Sequence, residues 1–184
     1  MRIECTIHGS FGVLHDPCTT SCPVCTIQYA QKRIERACDL NINIDCHWRD
    51  EIRCVDIYNY NTVRGLIPER CGVTMDGKKF MIEFDGLNRF QSMVCRNEVT
   101  DFEDQVHKDF AKLNYVREHG WHYLRISYEE VYSIDYWIHV FLDRCITTSH
   151  ERQVILCSNA EKYAKLQKRS EYFLREDRKL TFVT

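Results

Sequence analysis

Glycine and proline are scarce in this sequence, 7 and 3 of 184 residues, and no repeat, low-complexity tract or long linker interrupts it. That excludes a string of tethered modules and leaves one main domain with a small appendage. No apolar run approaches the ~20 residues of a membrane-spanning helix, so no membrane partner is expected. Met1-Arg2-Ile3-Glu4 leads straight into a Cys-His motif, so no secretory signal is expected. An excess of basic charge is also missing: 25 Lys and Arg face 27 Asp and Glu, a net charge of −2. Nucleic-acid affinity rests largely on neutralised phosphates, so the whole-chain balance argues against it. The balance is local, however. Lys32, Arg33 and Arg36 stand against Glu35 on one helical stretch, and seven Lys and Arg between 161 and 179 face four acids. A mixed-charge helix of this kind also reads as an ordinary solvated face.

Cysteine, by contrast, is abundant. There are 11, an odd number, in a chain expected to carry no export signal, which argues against a disulfide scaffold and for reduced thiols in the cytoplasm or nucleus. Three of them have company of a particular kind. Cys5-Thr6-Ile7-His8 and Cys22-Pro23-Val24-Cys25 each place two metal-binding side chains with two residues between them, and about a dozen residues separate the pairs. That spacing predicts a four-coordinate structural Zn²⁺ site of Cys5, His8, Cys22 and Cys25, with His15 and Cys18 as possible substitutes. The alternative is a set of unrelated buried thiols. A second site from Cys46, His47 and Cys54 has less regular spacing.

The stretch Phe80-Met81-Ile82-Glu83-Phe84-Asp85-Gly86 reads as a strand. Side chains alternate between its faces, so Phe80, Ile82 and Phe84 share one face and Glu83 and Asp85 the other. Two carboxylates on an apolar strand are costly to bury without counter-charge, and a divalent cation is one answer. The other is an edge strand whose polar face is wet. Asp76-Gly77 marks a tight turn from Gly72-Val73-Thr74-Met75 into this strand. A three-residue loop is expected to set Glu69 across from Asp85, and a two-residue loop to set Arg70 across from Glu83. Further on, Phe102, Val106, Phe110 and Leu113 form a helical stripe over about 101–119, with Lys108, Asp109 and Lys112 off it and Gly120 as its stop. Trp121 to Tyr128 reads as another strand.

Three motifs in order, Ile82-Glu83-Phe84-Asp85-Gly86, Asp109-x-x-Lys112-x-x-Tyr115 and Gly120-x-x-x-Leu124-Arg125-Ile126, resemble the restriction-endonuclease-like nucleases. The likeness covers about residues 65–130. It is nearest to the branch related to short-patch mismatch-repair and homing-associated endonucleases. The stretch C-x-x-H-G-x-F with S-C-P-x-C also resembles a small zinc module fused ahead of that branch. The resemblance implies an α/β fold, a restriction-endonuclease-like core with a mixed central sheet flanked by helices. It implies hydrolysis of DNA phosphodiesters with Mg²⁺ or Mn²⁺ held by Glu83, Asp85 and a first carboxylate. That first carboxylate is Glu69, or Asp56 if Glu69 faces away. The chain departs from the family's usual pattern: Pro68 is followed by Glu69 instead of Asp, and Asp85 stands where Glu-x-Lys has its lysine. Arg89 replaces a frequent His. Lys112 is the expected substitute cation, with Lys108 one turn earlier as the alternative. An inactive nucleic-acid- or protein-binding module that keeps the fold and the zinc is the rival expectation.

The remaining helices are simpler. Ser133 precedes Ile134, Trp137, Ile138, Phe141 and Cys145, which predicts a capped amphipathic helix. Tyr163, Leu166 and Phe173 give the C-terminal stretch an inner face. The expected organisation is a zinc module with its following helix at 1–38, a nuclease-like core at 39–150 and a helical tail at 151–184. Residues 39–66 carry the weakest pattern, short strands around an Asn-rich loop at Tyr58 to Asn61.

Overall fold

The structure, a computed structural model, describes residues 2–13, 22–41, 44–45, 58–59, 64–65, 70–90, 93–95, 98–99, 102–149 and 152–175. In chain order the first elements are β1 (Arg2–Cys5), β2 (Gly9–Val13), α1 (Pro23–Asp39), β3 (Ile44–Asp45), β4 (Tyr58–Asn59) and β5 (Arg64–Gly65). Then come β6 (Arg70–Thr74), β7 (Lys79–Asp85), β8 (Met93–Cys95), β9 (Glu98–Val99) and α2 (Phe102–Glu118). The last are β10 (His122–Ser127), α3 (Ile134–Thr147), β11 (Ile155–Cys157) and α4 (Ala160–Arg175). Among the described residues the main sheet has five strands in the order β11-β10-β7-β6-β3. It is mixed: β6 and β7 are antiparallel, whereas β10 runs parallel to both β7 and β11. A parallel neighbour needs a long crossover, and the β7-to-β10 connection contains α2.

β7 is a central strand, and from Phe80 to Asp85 it is buried on both faces. This removes the wet-edge alternative for Glu83 and Asp85. One face of the sheet presents Phe80, Ile82, Phe84, Leu124 and Ile126 to Ala30, Ile34 and Cys38 of α1 and to Ile138, Phe141 and Leu142 of α3. The α1 residues recur every four positions, so a single stripe of that helix is covered. The opposite face presents Met81 and Tyr123 to Val116 and the half-buried Ala111 and Leu113 of α2. Truncating Phe80 to Ala in a core of this kind costs about 3–5 kcal/mol.

The turn between β6 and β7 decides their register. Thr74 N donates to Lys78 O at 2.9 Å and Gly77 N to Thr74 O at 2.8 Å, closing a three-residue loop, Met75-Asp76-Gly77. Gly77 sits at φ 85°, where a side chain is strained. Lys78, buried, anchors the loop by donating to the C-terminal carbonyls of α3 at Cys145, Ile146 and Thr148, at 2.8, 3.1 and 2.6 Å. The result is Arg70 opposite Ile82 and Gly72 opposite Phe80. The loop length of three is one of the two expected, but with Thr74 opposite Lys78 the strands are offset from either expected register, and Arg70 does not face Glu83. Arg70 lies across from an apolar-face residue and pairs with Asp39 of α1 at 2.9 Å, away from Glu83.

Two expected boundaries look different in three dimensions. α1, which follows the Cys-His segment, is part of the main core. β2 also pairs with β8 in a second sheet, ordered β1-β2-β8-β9, that ties the N-terminal hairpin to the chain beyond β7. At the other end β11, within the expected tail, is an edge strand of the main sheet. Ser133 precedes α3 but its side chain makes no capping hydrogen bond, since a 3₁₀ stretch over Tyr128–Ser133 leads directly into the helix. Among the described residues no helix is long and apolar enough to cross a membrane.

Candidate functional site

Two groups of polar side chains meet at opposite ends of the Asp85-Gly86-Leu87 segment. The first is the Cys-His set. Cys5 ends β1 and His8 sits in the turn before β2, so a tight hairpin brings both to one corner. Cys22 is the N-cap residue of α1, Pro23 occupies its first turn, and Cys25 follows one turn on. A helix N-terminus favours thiolate over thiol at such positions. His8 Nδ1 lies 3.6 Å from Cys5 Sγ, 3.6 Å from Cys22 Sγ and 3.4 Å from Cys25 Sγ. Cys5 and Cys25 sulfurs are 3.9 Å apart.

Those separations can be compared with a metal polyhedron. Zn–S bonds of ~2.3 Å and Zn–N bonds of ~2.0 Å in a tetrahedron give S···S edges of about 3.8 Å and S···N edges of about 3.5 Å. All four ligand atoms lie within 4.8 Å of one another, so Cys5, His8, Cys22 and Cys25 can hold a metal ion such as zinc. Their titration fits that role. The backbone N–H groups of His8 and Ile7 hold the Cys5 thiol down to about 6, the first through a 3.4 Å contact to Sγ. Burial, then the neighbouring Cys22 and Cys5, push Cys25 up to about 11. Thiols crowded this way resist ionising together unless a cation is present. The cluster packs against Leu87, just beyond β7, and Gly86 is there because α1 passes close: a Cβ on it would stand 3.0 Å from Ile27 Cδ1.

The second group lies on the α2 face of the sheet. Glu83 is buried, and Lys112 of α2 donates to both its carboxylate oxygens, at 2.8 Å to Oε1 and 2.7 Å to Oε2. Burial raises the Glu83 pKa above the ordinary carboxylate value, and the Lys112 charge only partly opposes it. Asp85, two residues on, has another partner. Arg125 Nε donates to its Oδ2 at 2.8 Å and Nη2 to its Oδ1 at 2.7 Å, the two-pronged arrangement a guanidinium favours. Tyr163 of α4 donates its hydroxyl to Oδ2 at 2.5 Å. Burial would raise the Asp85 pKa, but Arg125, Arg89 and Tyr163 together outweigh it and leave it below the ordinary value.

The network continues. Arg125 Nη2 also reaches Asp109 Oδ2 at 2.7 Å, and Arg89 Nη1 reaches Asp109 Oδ1 at 2.8 Å. Burial would lower the Arg125 pKa, but Asp109 and Asp85 hold it well above its ordinary value. Glu83, Asp85 and Asp109 thus face Lys112, Arg125 and Arg89, three negative against three positive charges. Buried charges need this kind of matching, since an uncompensated one is strongly destabilising.

Of the residues singled out from sequence, Lys112 does reach the carboxylate face and meets Glu83. Glu83 and Asp85 share a face of β7 but bind different cations. Among the described residues the Cys-His set is the one group of three or more ligand atoms drawn close enough to hold a metal. Glu69, Asp56, His15, Cys18, Cys46, His47 and Cys54 lie outside the described residues. Arg125 and Arg89 stand in the motifs read from sequence and Tyr163 on the inner face expected of the C-terminal stretch, none with a role at the carboxylates; their joining this network is a finding of the structure. For Arg125 the signal is a lone charge between Leu124 and Ile126 in an apolar strand. Comparison with protein-family models, curated proteins and solved structures gave no match.

Proposed function

We propose that this chain is a metal-dependent endonuclease that hydrolyses DNA phosphodiester bonds, built on a restriction-endonuclease-like core and holding one structural Zn²⁺ at Cys5, His8, Cys22 and Cys25. The observation that carries the reading is the Lys112–Glu83 pair. An ammonium from a crossover helix meets a carboxylate at the centre of a mixed sheet, between an antiparallel hairpin and a parallel strand. This supports the substitution inferred from sequence, in which a helix lysine replaces the strand lysine that Asp85 displaces.

In this reading Glu83, with Asp85 and one of Glu69 or Asp56, would hold Mg²⁺ or Mn²⁺. The ion supplies Lewis-acid polarisation of a phosphoryl oxygen and a water of lowered pKa. Asp85 can join only at the cost of part of its Arg125 contact, because that guanidinium already spans both its oxygens. Lys112 neutralises Glu83 and, were Glu83 to hold the ion, would be available to the negative charge developing on phosphate. Arg125 and Arg89 hold Asp109, which keeps α2 in register with β10 and so fixes where Lys112 emerges.

A specific observation favours a second reading, in which the fold binds nucleic acid or protein without cutting it. Glu83 and Asp85 are 4% and 1% exposed and their charges are balanced by the protein's own cations. One experiment separates the two: incubation of supercoiled and linear DNA with the protein in Mg²⁺ or Mn²⁺, beside Glu83→Gln from the same preparation. The nuclease reading expects metal-dependent nicking that Glu83→Gln abolishes. Absence of cleavage by wild type in both metals, with folded zinc-loaded protein, contradicts it.

A further inference from the structure

A cavity of about 170 Å³ opens between α2, the β10–β11 edge of the sheet and α4. Most of its wall is apolar: Val106, Phe110 and Leu113 from α2, Ile155 and Cys157 from β11, and Leu166 from α4. Its lining also includes Arg125 and Tyr163, which hold Asp85, and Asp109, which shares Arg125 with it. A site with this composition does not suit a bare phosphate, which leaves apolar walls unmatched, nor an alkyl chain, which would be set against buried ionic groups.

We infer that this cavity is a subsite for one unstacked nucleobase, and that the preferred strand presents an unpaired base beside the Glu83–Lys112 pair. The inference rests on the nucleic-acid reading above and deepens it to a substrate class. Size is the first argument. A cavity of about 150 Å³ holds benzene, so this one takes a single six-membered ring with its substituents, a pyrimidine. Chemistry is the second. The Arg125 guanidinium stacks at 5.1 Å from the Tyr163 ring centroid, and Nε and Nη2 are committed to Asp85 and Asp109. Among the described residues Nη1 makes no hydrogen bond, so it is the donor that the acceptor edge of an entering base meets. Arg117, exposed, also lines the cavity and supplies positive charge for the attached phosphate. Enzymes that read an extruded base use this combination of apolar or aromatic walls with donors to the base edge.

Location is the third argument. Arg125 pairs across from Glu83 in the β7–β10 register, and Asp109 lies one helical turn before Lys112. A base in the cavity therefore places its own backbone next to the proposed chemistry.

The test uses the zinc-loaded protein in Ca²⁺ and a fluorescein-labelled decamer of abasic sugar-phosphate units, either uniform or with one thymine. A single stacked base contributes ~1–3 kcal/mol, which is about 5- to 150-fold in affinity. The wild-type protein is expected to bind the thymine-bearing strand at least 5-fold more tightly. Leu113→Trp fills the cavity from within, and Gln167→Trp obstructs it from an exposed lining position on α4 without changing the core. Either plug is expected to reduce the thymine gain below 2-fold while leaving affinity for the uniform strand unchanged. A gain that survives both plugs, or no gain in wild type, overturns the subsite. Cleavage in Mg²⁺ reads the other reading separately. Cutting without a thymine gain removes the subsite and keeps the nuclease. A thymine gain without cutting does the reverse.

Discussion

The two polar clusters flanking Gly86 are built from similar ingredients and reach opposite electrostatic states. At the Cys-His corner four ligand atoms converge within 4.8 Å of one another. On the sheet face the three acids are each met by Lys112, Arg125 or Arg89. The first arrangement can hold a metal ion; the second is already neutral. The difference follows from where each cluster grows. Turns and helix N-termini can aim several ligands at one point, whereas a strand sends Glu83 and Asp85 out in parallel, two residues apart, to separate partners. Convergence of ligands, more than their mere presence, separates a site that an ion would complete from one whose charges are balanced by the protein's own cations.

That contrast predicts its largest effect at the zinc corner. Cys22→Ser removes one ligand at the N-cap position of a helix whose Ala30, Ile34 and Cys38 lie in the main core. Structural zinc contributes ~10–16 kcal/mol in small modules, more than most domains have in reserve. The variant is expected to lose its zinc by metal analysis and to lose cooperative thermal unfolding of the whole domain, not only of the first thirty residues. A wild-type melting curve in zinc-free Cys22→Ser would separate the two regions.

The next effect belongs to the neutral network. Glu83→Ala leaves the Lys112 ammonium buried and uncompensated, which costs about 3–5 kcal/mol. The double variant Glu83→Leu/Lys112→Leu removes both charges and is expected to recover most of that loss in urea unfolding. If the single variant is as stable as wild type, Lys112 has another partner or another position. Tyr163→Phe is smaller, removing one hydrogen bond to a charged acceptor at a cost of about 1.5–3 kcal/mol.

The smallest effect is in pH dependence, where the two strand carboxylates act with opposite sign. Asp85 has a folded pKa below its unfolded value, so its contribution is present above ~3.9 and disappears as pH falls through the lower folded value. Glu83 is raised, so its contribution is complete below ~4.3 and declines as pH rises towards the folded value. Asp85→Asn is expected to flatten the acid limb of a stability–pH curve, and Glu83→Gln to remove the decline above ~4.3. Identical curves for both variants would mean that the two carboxylates share one environment.

How much of this the sequence held varies by element. The Cys-His set was legible because its spacing is short and local: two pairs, each within a turn, need no knowledge of distant chain. β7, α2 and β10 were legible for the same reason, each carrying its own period. The hairpin register was not, because it depends on Lys78 anchoring the loop to α3, a contact 67 residues away in sequence. Nor was the network, since Arg125, Arg89 and Tyr163 join it through tertiary placement that no local pattern encodes. β11 and the buried stripe of α1 escaped for a similar reason: short or mixed-charge segments declare their partner only once the sheet exists.

The central claim is that Lys112 acts on phosphate chemistry and is more than the counter-ion of Glu83. Its most direct test is single-turnover DNA cleavage in Mg²⁺ by Lys112→Ala and Lys108→Ala, with DNA affinity measured separately in Ca²⁺. The account predicts a loss of at least ~10²-fold in cleavage for Lys112→Ala, the scale of removing one electrostatic or acid–base group, with affinity nearly unchanged and Lys108→Ala close to wild type. Equal losses in the two variants, both restored by lowering salt, would mean that the lysines only contact phosphate, and would contradict it.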